Sequence, residues 1–292
     1  MSRAWNVALA HDWLNGMRGG ERCLDLICRE FPQAELYTLL FQPEQVSEAI
    51  RSRKVHVAGL QRLPGFRDHY RWFLPLFPMA IESFRLPAGT DLVISTSHCV
   101  AKGIVPPPGA KHLCYCFTPM RYAWSLQEEY FGRNPLKRAA LELALGRLRK
   151  WDRAASARVD RFVAISRHVQ ARIKEFYGRE SGVVYPPVAT QFFTPDARGG
   201  HDGYDLVVSA LVPYKRVDLA VRAYAQTGYP LKIAGAGTEL AALKKIAPPN
   251  VEFVGRPPDE GIRELYRRCR FLVFPGEEDF GIVPLEAMAC GK

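Results

Sequence analysis

The stretch that decides the fold is FLVFPGEEDFGIVPLEAMACG, residues 271–291. Its apolar start predicts a buried strand and its apolar end predicts a helix. Glu278 lies in the glycine-bearing loop between them, and Glu286 follows eight positions later, inside the helix. Ligands of open parallel sheets bind at the carboxyl ends of the strands, beside the N-termini of the next helices. The stretch therefore predicts an α/β protein with a binding site in this loop.

The residues before this stretch repeat the same unit, so the second part of the chain is predicted to alternate strands and helices. Strands are predicted at 205–212, 231–234, 251–254 and 271–274, and helices at 216–226, 239–246, 260–268 and 283–289. A doubly wound domain usually continues with a further strand and a closing helix. We therefore expect this C-terminal domain, residues 204–292, to be incomplete.

The first part of the chain alternates in the same way. Strands are predicted at 7–10, 35–39, 54–57, 91–95, 112–117 and 161–165, and helices after Gly20, at 135–159 and at 167–177, the last capped by Ser166. Residues 186–203, which are rich in Pro and Gly, are predicted to link this domain, residues 1–185, to the next one. The sequence thus predicts two Rossmann-like domains, each with a parallel sheet covered by helices.

The composition is that of a globular protein with a basic surface. Of the 292 residues, 48% are hydrophobic and 24% are charged, which is enough apolar material for two cores. The net charge of +10 favours anionic partners, such as phosphorylated substrates, acidic lipid headgroups or nucleic acid. A nucleic-acid partner is not expected, because no recognition module is present and the basic residues are spread over the helices.

The sequence contains no evident targeting signal or metal motif. A run of about 20 apolar residues, as a membrane-spanning helix needs, is missing, and the first ten residues lack the pattern of a secretory signal. We therefore expect a cytoplasmic protein, and seven cysteines in apolar segments fit its reducing conditions. Cys114 and Cys116 have no second pair at zinc-binding spacing, so no metal site is expected.

Glycines and polar side chains follow the predicted strands of the first domain. Gly19 and Gly20 precede a helix, where backbone N–H groups could approach a phosphate, although a plain strand-to-helix turn would look the same. Residues at the other strand ends could orient an acceptor hydroxyl or transfer a proton, or could be structural: His11, Asp12, His98 and Arg121.

The second domain carries charged residues at its predicted strand ends. Lys215 and Arg216 could stabilise a leaving diphosphate, and the alternative is a solvated helix start, where cations oppose the helix dipole. Carboxylates such as Glu278 and Glu286 could accept hydrogen bonds from sugar and ribose hydroxyls. Backbone N–H groups for an anion would come from Phe280, Gly281 and Ile282. The GAG run at 235–237 resembles a dinucleotide fingerprint, but Leu240 stands where that motif needs glycine.

These residues together resemble a known family. The run at 275–291 is similar to the signature of family 4 retaining glycosyltransferases, in which seven residues separate two glutamates. The run PYKRVD, residues 213–218, resembles their donor-diphosphate motif. HDW at 11–13, GGE at 19–21 and TPMRYAW at 118–124 resemble the branch that contains O-antigen and capsule mannosyltransferases. The resemblance spans nearly the whole chain.

The resemblance implies the GT-B fold, in which two Rossmann-like domains face a cleft, the first binding the acceptor and the second the donor. It implies transfer of a hexose, with retention of configuration and without a metal, from a nucleotide-sugar to a polyprenyl-linked or glycan acceptor. GDP-mannose is the expected donor and synthesis of a surface polysaccharide the expected role.

The family's residue roles carry over to matching positions of this chain. By analogy Lys215 contacts the diphosphate, Glu278 the donor sugar, Glu286 the ribose, and Gly20 the phosphate from the first domain. Backbone around Val254 and Gly255 would hold the base. The expected catalytic residues are Lys215, Glu278 and His98.

Two departures from the family pattern bear on activity. Phe117 stands where the branch often has histidine, and a phenyl ring cannot transfer a proton, so that role passes to His98 or is absent. Ala210 stands where many relatives carry a diphosphate-binding arginine, for which Arg216 could compensate. Two alternatives therefore stay open: a non-catalytic relative that binds a nucleotide-sugar or glycan, and a sugar-nucleotide epimerase.

The segment YRWFLPLFPM, residues 70–79, is unusually apolar and aromatic. Together with the basic helix predicted at 135–159 it could bind the anionic inner face of the cell membrane, where a polyprenyl-linked acceptor would lie. The alternative is a buried loop between two elements.

Overall fold

The chain forms two compact units. A computed structural model describes residues 5–124, 135–197 and 199–292, with the backbone alone of residues 135–144. The first unit extends to Pro186 and the second begins at Pro187. Residues 187–203, predicted as a linker, therefore belong to the second unit, where Phe193 is buried in an apolar cluster.

The first unit is built on a seven-stranded parallel sheet in the order β3-β2-β1-β4-β5-β6-β7. Its strands are β1 Val7–His11, β2 Glu35–Thr38, β3 Val55–Val57, β4 Leu92–Ser97, β5 Lys111–Cys116, β6 Arg161–Ala164 and β7 Ser181–Val183. The strands predicted from the sequence are present with small differences at their ends. β7 was not predicted, because Ser-Gly-Val offers no apolar run and depends on pairing with β6.

Helices and 3₁₀ turns connect these strands. The helices are α1 Gly19–Glu30, α2 Glu48–Arg51, α3 Phe66–His69, α4 Phe77–Glu82, α5 Arg121–Trp124, α6 Pro135–Ala157 and α7 Arg167–Tyr177. The 3₁₀ turns are Pro43–Gln45, Gly59–Arg62, Tyr70–Leu76 and Ala101–Gly103. None of the helices in the described ranges is long and apolar enough to cross a membrane.

Register aligns the ends of the central strands in the first unit. His11, the last residue of β1, lies opposite Thr38 of β2 and Thr96 of β4. Ser97, which ends β4, lies opposite Cys116, which ends β5. Three central strands therefore end at one level, and the residues that follow them lie at one edge of the sheet.

The second unit has a three-stranded parallel sheet in the order β10-β9-β8. Its elements are β8 Asp205–Val208, the 3₁₀ turn Pro213–Lys215, α8 Val217–Thr227, β9 Leu231–Ala234, α9 Leu240–Ile246, β10 Val251–Gly255, α10 Asp259–Arg268 and α11 Ile282–Ala289. The predicted strand at 271–274 is wrong in extent. Only Leu272 pairs with the sheet, as a single bridge to Leu206, so the segment lies beside β8 without forming a ladder.

The core of the first unit requires glycine at position 103. A Cβ atom built there would lie 2.5 Å from the Trp151 ring, whereas a Cβ at Gly146, in α6, meets nothing within 4 Å. We predict that Gly103→Ala destabilises the chain by about 1–3 kcal/mol through overpacking. Gly146→Ala should instead stabilise it by about 0.5–1 kcal/mol through helix propensity.

Urea unfolding of both variants checks this prediction. We expect the change from glycine to alanine to lower the free energy of unfolding at position 103 and to raise it at position 146. Two changes of the same sign would contradict the packing described here.

Candidate functional site

Asp12, the residue after β1, anchors the loop that follows β4. One carboxylate oxygen accepts the backbone N–H groups of His98 and Cys99 at 2.7 and 3.0 Å, and the other accepts those of Val100 and Ala101 at 2.6 and 2.7 Å. Asp12 is completely buried. Burial alone would raise the pKa of this carboxyl, but the His98 ring and the backbone N–H groups outweigh it and hold the pKa below its ordinary value. The carboxylate therefore fixes the loop in the ionised state.

The same carboxylate orients the His98 side chain. The Nδ1 atom of His98 lies 3.1 Å from an oxygen of Asp12, and the ring packs edge-on against Trp13 with 4.4 Å between ring centroids. The His98 side chain is 28% exposed, whereas Asp12 is inaccessible. A carboxylate at Nδ1 leaves Nε2 as the atom that can contact a ligand. His98 is thus the accessible member of this pair.

His11 is buried in a single protonation state. The Thr96 hydroxyl lies 2.7 Å from His11 Nδ1 and donates to the carbonyl of Ala10 at 3.2 Å, an arrangement that favours the tautomer with a proton on Nδ1. Burial lowers the pKa of the ring below its ordinary value of 6.5, which keeps it neutral. Its Nε2 atom is buried without a hydrogen-bond partner among the described residues.

The Phe117 ring fills the space between His11 and the start of α1. It meets the His11 ring nearly perpendicularly, with 6.4 Å between centroids. A Cβ built on Gly20 would lie 3.2 Å from the Phe117 ring, whereas one on Gly19 meets nothing within 4 Å. Of the two glycines predicted to approach a phosphate, Gly19 is therefore open and Gly20 is covered on its Cβ side by the phenyl ring.

A buried ion pair between Lys102 and Asp152 also holds the loop after β4, and the sequence analysis did not predict it. Lys102 donates to the carbonyl of Cys99 and to Asp152 of α6, and both charged side chains are almost inaccessible. Asp152 also accepts hydrogen bonds of 2.8 Å from Trp124 and Tyr177. The one signal in the sequence was a lysine inside the apolar run at 99–105.

In the second unit, Lys215 and Glu278 form an ion pair. Lys215 ends the 3₁₀ turn that follows β8, and Glu278 lies in the loop before α11. The two side chains are 13% and 24% exposed, so the pair is accessible at its edge. A Cβ on Gly276 would lie 2.7 Å from the Lys215 carbonyl, so glycine allows the two loops to approach. The structure therefore brings together a cation and a carboxylate that the sequence placed 63 positions apart.

Arg216 was predicted to begin a helix, but the helix α8 begins one residue later, at Val217. Arg216 has a left-handed backbone, with φ of 50°, and its side chain donates to Asp218 of α8. A left-handed conformation is costly for a residue with a Cβ and is often found at functional sites. Ala210, where a family arginine was expected, is exposed.

Glu286 is buried inside α11 and has a partner on the neighbouring helix. The Tyr266 hydroxyl of α10 donates to its carboxylate at 3.1 Å. Tyr266 is completely buried, and burial followed by the neighbouring Glu286 raises the pKa of its hydroxyl, which therefore stays protonated. The sequence marked Glu286 but not Tyr266.

The remaining predicted donor residues lie at the start of α11 and at the end of β10 in the second unit. Gly281 precedes α11 with φ of 81°, which favours glycine, and lies between Phe280 and Ile282. Val254 is half-buried, and the carbonyl of Gly255 accepts the N–H of Gly235 at 2.6 Å. The glycines at 235 and 237 allow close contact with the backbone of residues 209 and 211, which is a structural use.

Three further observations concern the rest of the described structure. A cavity of about 490 Å³ opens at the amino ends of β1 and β2, where Trp5 and Phe31 line it, and none of the predicted site residues does so. Arg121 begins α5 and is half-buried. Within the described ranges, no three His, Cys, Asp or Glu side chains are placed to hold a metal ion.

Part of the chain matches a known protein family. Residues 197–292 match the family described as glycosyl transferases group 1. An uncharacterized glycosyltransferase of Methanocaldococcus jannaschii is 27% identical over 143 residues, which are 47% of this chain and 40% of that protein. The serotype-specific mannosyltransferase WbdA of Escherichia coli is 31% identical over 105 residues, 31% of this chain and 13% of that protein. The chain thus spans less than half the length of either relative.

Solved structures share the fold over nearly the whole chain. The Anabaena protein HepE, in complex with UDP, superimposes with a TM-score of 0.66 and 14% identity, over 98% of this chain and 79% of that one. The predicted α/β architecture of the GT-B type is confirmed.

The Asp12 anchor leads to a stability prediction. In Asp12→Asn an amide NH₂ replaces one oxygen and faces two backbone donors, so we expect a loss of about 3 kcal/mol in unfolding free energy. Because the folded pKa of Asp12 lies below its ordinary 3.8, the stabilisation is complete above that pH and is lost as the pH falls through the folded pKa.

Urea unfolding as a function of pH measures the effect. Asp160→Asn is the control, since Asp160 also accepts a backbone N–H, from His112, but is 45% exposed; its cost should stay below about 1 kcal/mol. Equal costs for both variants would show that Asp12 does not hold the loop.

Proposed function

We propose that the chain transfers a hexose from a nucleotide-sugar donor to a hydroxyl acceptor with retention of configuration. The observation that carries the proposal is the Lys215–Glu278 ion pair, which lies within the part of the chain that matches the group 1 glycosyl transferases. A cation for a diphosphate and a carboxylate for sugar hydroxyls are held side by side, as donor recognition requires.

On the donor side, the positive charge stabilises the leaving group. Lys215 binds the diphosphate and Arg216, exposed beside it, adds a second positive charge. The bond from the anomeric carbon to the diphosphate breaks while the bond to the acceptor oxygen forms on the same face, and the proton of the acceptor hydroxyl passes to the departing phosphate oxygen. Negative charge grows on the diphosphate in this step, so cations fixed in advance lower the barrier without a metal.

Glu278 and Glu286 divide the recognition of the donor. Glu278 accepts hydrogen bonds from hydroxyls of the sugar, and Glu286 accepts from the ribose. The N-terminus of α11, at residues 280–282, directs backbone N–H groups towards the phosphates. Residues 254 and 255 supply backbone atoms to the base.

On the acceptor side, His98 orients the attacking hydroxyl. Asp12 fixes its ring and His98 remains accessible, which suits a residue that contacts a substrate. Phe117 cannot take this role, because a phenyl ring has no group that contacts a hydroxyl by hydrogen bonding. His11 and Asp12 are both buried, so they position neighbouring residues and do not contact the acceptor themselves. Arg121 lies on the same unit and binds the acceptor, and the open backbone of Gly19 binds a phosphate.

The donor sugar is proposed to be mannose. The likeness to the mannosyltransferase WbdA supports this choice, and the acceptor is then a polyprenyl-linked or glycan chain of a surface polysaccharide. The neighbour HepE was solved with UDP, which makes a uridine nucleotide the first competitor of GDP as the donor nucleotide.

The roles of Lys215 and Glu278 can be separated by substitution. Lys215→Ala should lower kcat/KM for release of GDP from GDP-mannose by about 10²–10³-fold, because one stabilising charge is lost. It should weaken GDP and GDP-mannose binding alike. Glu278→Gln should weaken GDP-mannose relative to GDP, because the sugar contact is lost. GDP itself should bind no more weakly than before, because the Glu278 carboxylate no longer competes with its phosphates for Lys215.

Calorimetry and a nucleoside-diphosphate release assay measure these effects, with UDP-hexoses tested beside GDP-mannose. The control is Lys174→Ala, which removes a lysine from an exposed pair with Glu180 and should change neither quantity. Binding without turnover in the unmodified chain would favour the non-catalytic alternative, and release of an altered nucleotide-sugar without acceptor would favour the epimerase.

We also propose that the acceptor is reached at an anionic membrane. Residues 70–79 are only partly a surface: Tyr70, Leu74 and Phe77 belong to the core, whereas Trp72, Leu76 and Met79 are exposed. Trp72 is 78% exposed and stacks on His69 at 4.5 Å. Exposed arginines flank these side chains at positions 62, 67 and 71. Aromatic and basic groups on one segment suit the interface of an acidic bilayer.

Sedimentation with phosphatidylglycerol vesicles tests the membrane proposal. Trp72→Ala should weaken binding by about tenfold, the effect of losing one inserted aromatic side chain. Trp5→Ala is the matched control, because Trp5 is also exposed but lies at the amino edge of the sheet. Equal binding to phosphatidylcholine, or equal loss in both variants, would overturn the proposal.

A further inference from the structure

The contact between Tyr266 and Glu286 is a polar bridge inside an apolar cluster. The cluster joins α10 and α11 to β8 and to the segment at 192–194, and its buried members include Phe193, Tyr204, Leu206, Tyr266, Cys269, Ala287 and Cys290. A carboxylate in such surroundings requires a donor. Tyr266 supplies one from a ring that is itself completely buried.

The segment at 192–194 holds Tyr266 from the other side. The ring of Phe193 meets that of Tyr266 edge-on, with 5.8 Å between centroids. Arg267 donates to the carbonyl and the hydroxyl of Thr194 at 2.7 and 2.6 Å, and Arg263 lies over the Phe192 ring at 4.5 Å. Helix α10 is thereby fixed, and the Tyr266 hydroxyl can move little relative to Glu286.

From this geometry we infer that Tyr266 is a positioning residue for ribose recognition. Its hydroxyl sets the rotation of the Glu286 carboxylate, so that the carboxylate meets the two ribose hydroxyls of the donor nucleotide in one orientation. The inference rests on the proposed function, which assigns Glu286 to the ribose. Tyr266 does not touch the donor, but through Glu286 it affects the preference of the donor site for ribose over deoxyribose. A carboxylate held by fewer contacts would lose part of that preference, because each hydrogen bond to the ribose would then cost more orientational freedom.

The test compares two ligands and two variants. The ligands are the nucleoside diphosphate that binds among UDP, GDP and ADP, and its 2′,3′-dideoxy form, both titrated into the full chain. Hydrogen bonds to a charged group predict a preference of about 10- to 100-fold for the ribose form. In Tyr266→Phe we expect the preference to fall by at least about threefold, since the carboxylate loses one hydrogen bond that orients it.

Tyr204→Phe is the matched control. Tyr204 is buried in the same cluster, and its hydroxyl donates to a backbone carbonyl of α10, that of Leu265, at 3.1 Å. Removing it costs a similar buried hydrogen bond without touching Glu286. The ratio of the two affinities should therefore stay at the value of the unmodified chain, even if both affinities fall.

The outcomes separate this inference from the proposed function. A preference in the unmodified chain that is kept in Tyr266→Phe would overturn the role of Tyr266 and leave Glu286 in place. No preference in the unmodified chain would remove the ribose contact of Glu286 and the inference with it. If Tyr266→Phe unfolds during titration, the measurement is repeated in trimethylamine N-oxide, which favours the folded state.

Discussion

A charge buried where parallel strands end must be partnered, and this constraint shapes both units of the protein. Asp12 uses both carboxylate oxygens to hold the loop after β4. Lys215 and Glu278 neutralise each other across two loops, and Glu286 is met by Tyr266. Two of these contacts also position an accessible group. Asp12 fixes the ring of His98, and the Lys215–Glu278 pair is accessible at its edge. Stability and recognition therefore depend on the same contacts.

In the second unit, a donor diphosphate can replace Glu278 as the partner of Lys215. In the ion pair, Lys215 already has a negative neighbour, so a donor phosphate competes with Glu278 for the same cation. When the phosphate takes the lysine, Glu278 becomes available to hydroxyls of the sugar. The cost of separating the pair is offset most fully by a ligand that supplies both a phosphate for Lys215 and hydroxyl groups for Glu278, which favours a nucleotide-sugar over either part alone.

The sequence predicts those features that depend on local signals. Helix α7 is found between its predicted ends because Ser166 accepts the N–H of Val169 at its start and Gly178 ends it in a left-handed conformation. The charged residues at the strand ends were also predicted from a local signal, because the point where an apolar run ends can be read directly from the sequence. β7 was missed, and the run at 271–274 was assigned a strand that is only one bridge, because pairing with neighbours decides both. Contacts between distant segments, such as Lys102 with Asp152 and Tyr266 with Glu286, leave little trace in the local pattern.

The most direct test is calorimetric titration of UDP, GDP and ADP, each beside its uncharged nucleoside, into the full chain. The account predicts that one diphosphate binds at least about 100-fold more tightly than its nucleoside, because cations at Lys215 and Arg216 and the N-terminus of α11 recognise phosphate. It also predicts that Lys215→Ala removes most of that difference. Binding of none of the three diphosphates, or a difference that survives Lys215→Ala, would contradict the assignment of this site to a nucleotide-sugar donor.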